Sequence, residues 1–203
     1  MGFAARMWAE QNRDDGDRQR LFETVAAARP GRRILYPGSY VDVAASFAFA
    51  HVTYIDVDKR ALRFFADRDG IGEILGPDRN TGVEFLHSDY TDHLPHPDQS
   101  FDLLVSLYAG FVSEACTQYL RIGGTLLVNP SHGDAAMASI DPRYLLTGVV
   151  KARNGSYEVR QTDLDTYLVP KREVELTPAY LHERNRGIAY TRAPFAYLFE
   201  RIA

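Results

Sequence analysis

The stretch that most constrains this chain is residues 32–58, RRILYPGSYVDVAASFAFAHVTYIDVD. An apolar run enters a Pro-Gly turn, small residues follow, a second apolar run comes next, and Asp56 stands where that run ends. The pattern reads as strand, turn, helix, strand. Parallel strands joined by such a crossover are buried on both faces, so the unit needs helices on each side. The turn is expected to gather backbone N–H groups and a helix N-terminus at one point, with the carboxylate beside it. In nucleotide-binding α/β folds such a carboxylate accepts hydrogen bonds from ribose hydroxyls. An adenosine-type ligand is the first expectation.

The rest of the chain keeps this rhythm. Strands are expected at 33–36, 52–56, 83–87, 101–107 and 125–129. Helices are expected at 3–28, either continuous or broken at a polar middle, 13–17, and at 41–50, 59–67 and 111–120, the last stopped by Gly123-Gly124. Residues 70–82 read as loop with one irregular turn. The alternation argues for a parallel sheet with right-handed crossovers. After Pro142 the rhythm changes: runs at 144–151 and 157–161 flank Asn154-Gly155, a hairpin signal. A short helix at 178–186 and a strand at 195–202 complete the chain. The expected architecture is α/β, a mostly parallel sheet flanked by helices with antiparallel C-terminal strands. It forms one domain, 1–203: an N-terminal helical segment (1–30), a nucleoside-binding core (31–140) and C-terminal antiparallel strands with an insertion (141–203).

Composition narrows the function. The formal net charge is −4 and no long basic run appears, so a nucleic-acid partner has no evident footprint. Cys116 is the one cysteine, which excludes an internal disulfide or a cysteine metal site; it sits in an apolar pattern and reads as a small buried hydrophobe. His93 and His96 fall in HLPHPD, whose prolines favour loop, and no metal is assigned. No apolar run reaches the length of a membrane span, and the first residues lack the pattern of a secretory signal. A cytoplasmic location is expected.

Four ordered segments carry a resemblance: ILYPGS, YIDVDKRALRFF, FLHSDYTDHLPHPDQSFDLLVS and YLRIGGTLLVN. Over about half the chain they resemble the class I S-adenosylmethionine-dependent methyltransferases, which implies a Rossmann-like fold and S-adenosylmethionine as cofactor. The resemblance implies that Asp56 holds the ribose hydroxyls, with Asp58 assisting or capping the next helix. It implies that Asp89 meets the adenine amine, that Tyr90 and Val57 sandwich the base, and that Gly38 admits the ligand close to the backbone.

Two positions depart from the family's pattern. Tyr36 stands where an acidic residue is usual, and Tyr40 where a second glycine is usual. Asp42 either replaces the missing acid, holding the ligand's ammonium group, or caps the helix that follows. Ser39 either bonds the tail carboxylate or satisfies the turn. The cofactor set is therefore Tyr36, Gly38, Ser39, Asp42, Asp56, Val57, Asp58, Asp89 and Tyr90. No catalytic residue is fixed; His132, after the fifth strand, and Tyr108, closing the fourth, are the candidates. The expected activity is methyl transfer to a small-molecule acceptor. The alternative is a non-catalytic S-adenosylmethionine-binding or regulatory domain, favoured by Tyr36 and Tyr40. Aminopropyl transfer on the same scaffold would need an acidic pocket for a polyamine, and no acidic run follows the fourth strand.

Overall fold

A computed structural model describes residues 2–12, 17–77 and 81–203. Its frame is an eight-stranded sheet among the described residues: β1 (Arg33–Pro37), β2 (His51–Ile55), β3 (Gly82–Leu86), β4 (Phe101–Ser106), β5 (Leu120–Val128), β6 (Tyr144–Arg153), β7 (Ser156–Arg160) and β8 (Ala196–Arg201). The order across the sheet is β3-β2-β1-β4-β5-β8-β6-β7. The first five strands pair in parallel; β8, β6 and β7 add antiparallel. This is the expected mixed α/β architecture. No helix among the described residues is long and apolar enough to cross a membrane.

Strand periodicity divides the core in two. Ile34 and Tyr36, Val52 and Tyr54, and Leu103 and Val105 face one way. They pack with α1 (Phe3–Gln11), α2 (Asp17–Ala28), α3 (Lys59–Ala66) and α4 (Arg68–Leu75). Leu35, Ile55, Leu104, Leu126 and Val128 face the other way, toward α5 (Val112–Cys116), α6 (Asp134–Ile140) and α7 (Pro178–Arg184). On the first face the rings of Phe22, Tyr36, Tyr54, Phe65 and Phe85 form a row, with successive centroids 4.6–5.8 Å apart. Such pairs contribute about 0.5–1.5 kcal/mol each beyond their buried area.

Several elements depart from the sequence expectation. The helix expected at 41–50 is reduced to a 3-10 turn, Ala44–Phe47. The buried Tyr54 hydroxyl donates to Val43 O (3.1 Å) and accepts from Ser46 N (3.1 Å), taking up backbone groups that a longer helix would pair internally. Residues 70–82 are not mainly loop: α4 covers their first half. Asp67 secures it, with Oδ1 accepting from Gly70 N (3.0 Å) and Oδ2 from Ala4 N of α1 (2.9 Å). Helix α5 ends at Cys116, where the Thr117 hydroxyl turns back to Ser113 O and bonds the Tyr144 hydroxyl. Gly123-Gly124 lies inside β5, which starts earlier than expected and shifts its pairing with β4 between Phe101 and Leu103. Helix α6 was not anticipated, although its run of small residues was visible. The helical span expected over 3–28 holds α1 and α2; most of its polar middle, residues 13–16, lies outside the described residues.

Candidate functional site

The direction of crossover reverses between β1 and β4, which are neighbours in the sheet. In open α/β sheets ligands bind at the carboxyl ends of the strands at such a switch point. A cavity of about 350 Å3 opens there. Its walls include Tyr36, Gly38, Ser39, Tyr40 and Asp42 from the β1 side and Leu107 and Tyr108 from the β4 side. Four of the nine expected cofactor residues therefore share one wall.

The turn does not present free donors. Gly38 N and Ser39 N both donate to Ile55 O (2.8 and 3.3 Å), and Tyr40 N donates to Asp56 Oδ2 (2.7 Å). No α-helix starts behind the turn, so the expected helix N-terminus is absent as well. Tyr40 nevertheless keeps the left-handed conformation typical of glycine (φ 49°). A non-glycine residue there costs on the order of 1–3 kcal/mol, met here by the bond to Asp56. The Tyr40 hydroxyl turns outward and accepts from Arg60 (3.4 Å).

Side chains supply the polarity instead. Helix α2 buries Leu21, Phe22 and Val25. Burying each is worth about 1.5–3 kcal/mol, which fixes the rotation of the helix. Arg18 lies three, four and seven residues before them, so the same rotation carries it inward. It reaches the cavity wall and lies over the Tyr108 ring (5.1 Å). The start of α2 is tied to the C-terminal strands by Tyr157 Oη donating to Asp17 Oδ2 (2.8 Å) and Arg20 Nε donating to Gly155 O (2.7 Å). In the sequence Arg18, like Arg20, Arg29, Arg32 and Arg33, alternates with acids and apolar residues and so reads as solvated helix surface; its place in the apolar stripe of α2 was the signal for the other reading. Arg18 Nη1 and Ser39 Oγ are both buried without a hydrogen-bond partner among the described residues, and both residues line this cavity.

Tyr36 and Asp42 form the cavity's buried acid. The Tyr36 hydroxyl donates to Asp42 Oδ2 (3.0 Å), and Ala44 N donates to Asp42 Oδ1 (2.8 Å). Asp42 braces the backbone beyond the turn without being an N-cap, since Val43 holds that position ahead of the 3-10 turn with no side-chain cap bond, and its carboxylate stands in the cavity wall. Burial pushes its carboxyl above the ordinary range, and Arg18 pulls it part of the way back. Burial opposes the charge of Arg18 too, but Tyr36, Asp42 and neighbouring tyrosines outweigh it and hold the guanidinium above its usual value.

The remaining five cofactor residues lie at the ends of β2 and β3, outside that cavity lining. Asp56 accepts Asp58 N on Oδ1 (2.8 Å) and Tyr40 N on Oδ2. A carboxylate has about four acceptor sites, so each oxygen keeps one for another donor. Asp58 caps α3 through Arg60 N (2.6 Å). Asp89 is exposed; Thr91 N and Oγ1 both bond its Oδ1 (2.9 and 2.8 Å), which holds the carboxyl below its ordinary range and leaves Oδ2 outside those bonds. Val57 is exposed, and its carbonyl meets His87 Nε2 (2.9 Å). Tyr90 is half-buried against the second core, with its hydroxyl close beside Gly110.

Of the two catalytic candidates, Tyr108 has the more central position. It is exposed, holds φ at 59°, and is pinned by its N–H donating to Asn129 Oδ1 (3.2 Å). It lines the cavity above and two neighbours, one reaching Phe195 and Glu10, the other reaching Asn129, Ser131 and Ile188. His132 is half-buried on the β5–α6 connection and belongs to none of these three linings. Beneath the Tyr108 turn lies a buried carboxylate that sequence reading missed. Asp134 accepts from Ser106 Oγ (2.5 Å), Ser113 Oγ and Ser113 N (3.1 Å), joining the end of β4 to the start of α5. Burial pushes it up from 3.8 to about 6 against those hydrogen bonds. Cys116 is buried, and burial pushes its thiol up to about 12, as suits a packing residue. His96 packs edge-on against Phe101 (5.1 Å) and lies 3.5 Å from Glu84.

Residues 36–128 match the sequence model of the methyltransferase-domain family, just under half of the chain. Among curated proteins no sequence match is found. A provisionally assigned O-methyltransferase from Klebsiella pneumoniae superposes with TM-score 0.54 at 12% identity, covering 98% of this chain and 90% of that one. The O-methyltransferase TomG from Streptomyces achromogenes, involved in tomaymycin synthesis and solved in complex with SAM, superposes with TM-score 0.51 at 16% identity, covering 78% and 87%. The [4+2]-cyclase SpnF matches at TM-score 0.43 and 23% identity, covering 54% of this chain and only 44% of its own length. At these identities the superpositions speak to fold. The two superpositions above TM-score 0.5, with the sheet order, show the Rossmann-like fold of these O-methyltransferase structures, and residues 36–128 are similar to the methyltransferase-domain family.

Proposed function

We propose that the chain binds S-adenosylmethionine along the carboxyl ends of β1, β2 and β3 and transfers its methyl group to a small-molecule acceptor. The observation that carries this is the pair of buried, unpartnered polar atoms, Arg18 Nη1 and Ser39 Oγ, beside a buried carboxylate at Asp42. Buried polar groups are normally satisfied, so two orphans in one cavity call for a ligand with acceptors. The amino-acid tail of the cofactor has that chemistry: a carboxylate for Arg18 and Ser39, an ammonium for Asp42. Asp56 keeps acceptor capacity for the ribose hydroxyls, and Asp89 Oδ2 for the adenine amine. The side chains thus replace the backbone donors that the turn has spent on Ile55.

The bound cofactor supplies an already activated methyl group, so the protein's contribution is alignment and exclusion of water. Tyr108, held by Asn129 and stacked on Arg18, forms the boundary between the tail cavity and the spaces at the ends of β4 and β5. It orients the acceptor within about 3–3.5 Å of the reacting carbon. Titration calorimetry with S-adenosylmethionine, followed by transfer of a labelled methyl group to a panel of small acceptors, tests the proposal. One-to-one binding with a labelled product supports it; no binding overturns it. Binding without any labelled product favours the non-catalytic reading, which Tyr36 and Tyr40 keep open.

A further inference from the structure

A second cavity, of about 410 Å3, lies in the segment between β7 and β8. Pro170 bridges Tyr190, Lys171 N donates to Ala189 O (2.8 Å), and Thr191 N donates to Val169 O (2.8 Å). This short antiparallel ladder makes one wall, and α7 lays Tyr180 and Arg184 against it. Val174, Ile188 and the Tyr180 ring give the lining an apolar character, while Lys171, Arg172 and Arg184 line it with a single acid, Glu173. None of the three cations is paired with an acid among the described residues. Arg184 is steadied over the Tyr180 ring instead, 5.5 Å from its centroid. Three cations against one acid leave this lining at +2, on a chain whose net charge is −4. The local sign opposes the global one, which marks a site for an anion.

The cavity is connected to the methyl-transfer region by shared walls. Ile188 and Ala189 line it and also line the space of about 420 Å3 at the end of β5. That space reaches Tyr108, which borders the donor cavity. From these shared walls and the reversed charge we infer that the Lys171–Arg172–Arg184 cavity anchors the acceptor, and that the acceptor is a small apolar organic acid. Its carboxylate sits among the three cations, and its apolar body runs past Ile188 toward Tyr108. A polyamine is repelled by the same lining. The word acceptor rests on the methyl-transfer reading; the anion site itself does not.

The test uses 1-anilinonaphthalene-8-sulfonate, an apolar anion that fluoresces on binding, and N-phenyl-1-naphthylamine, its uncharged counterpart. The 203-residue chain should bind the anion one-to-one. The double variant Lys171→Glu/Arg184→Glu should weaken the anion at least tenfold and change the uncharged probe less than twofold. Glu173→Gln, a milder change, should tighten the anion severalfold. No anion binding by the wild type, equal effects on both probes, or an unchanged or weaker anion affinity in Glu173→Gln overturns the site. Calorimetry with S-adenosylmethionine on the same proteins should be unchanged, so a failure of the donor reading is seen separately. Where the donor binds, matched acids and amines offered for methylation assign the acceptor: labelled acids support the inference, and labelled amines alone overturn it.

Discussion

Arg18 carries the largest share of the proposed donor specificity. A hydrogen bond to a charged group contributes about 1.5–3 kcal/mol, and 1.4 kcal/mol is a factor of ten. Arg18→Gln should therefore weaken S-adenosylmethionine by about ten- to a hundredfold in a calorimetric titration. Ser39→Ala should weaken it only a few-fold. Equal affinities in all three proteins would remove both residues from the site. Asp134 sets a different test, because its carboxyl is pushed from 3.8 to about 6 in the folded chain. Its folded value is raised, so its favourable contribution is complete below pH about 4 and is lost as pH rises through about 6. A shift of that size corresponds to about 3 kcal/mol. Asp134→Asn should flatten the fall in urea-unfolding stability between pH 4 and 7 relative to wild type; a parallel pair of profiles would contradict the shift.

The elements around the site place their stress on close backbone contacts. Gly187 N donates to Ser131 O (3.0 Å), docking the C-terminal insertion on the β5–α6 connection. A Cβ at Gly187 would come within 1.9 Å of Pro130 O, which is backbone and cannot swing aside. Gly187→Ala should cost about 1–3 kcal/mol of stability in thermal or urea unfolding. It should also disturb the cavity beside Tyr108 while S-adenosylmethionine affinity stays within twofold. At this scale the sequence was most legible where periodicity was strong. All eight strands, apart from the early start of β5, the Asn154-Gly155 hairpin and α3 were readable because apolar runs and turn chemistry agree there. The 3-10 turn at Ala44–Phe47 was not, because its cause is the Tyr54 hydroxyl on another strand. Helix α4 was hidden by Gly70 and Gly72, whose poor helix propensity is offset by the Asp67 cap. The site shows the same divide. Gly38, Ser39 and Asp42 were legible as turn neighbours of β1 and Asp56 as an acid closing a strand, whereas Asp89, three residues beyond β3, entered only through the family resemblance. Arg18 was missed because a lone arginine in an amphipathic helix reads as surface until the rotation of the helix is known.

Across the whole molecule, one sheet brings separate chemistries to one edge. The carboxyl-end side of the parallel half carries Asp56, Asp89 and the Tyr36–Asp42 pair, which the proposed donor site assigns to a nucleoside with an amino-acid tail. Helix α2 and the segment before β8 close over that edge from the two ends of the sequence. At the turn after β1, Tyr40 holds a left-handed conformation typical of glycine, the N–H groups bond inward, and Arg18 lines the space beside them. The most direct measurement is a crystal structure with S-adenosylhomocysteine bound. The account predicts its carboxylate on Arg18 and Ser39, its ammonium at Asp42, and its ribose hydroxyls on Asp56. A ligand whose tail lies away from the Tyr36–Asp42 cavity, or crystals that take up no ligand at saturating concentration, would contradict it.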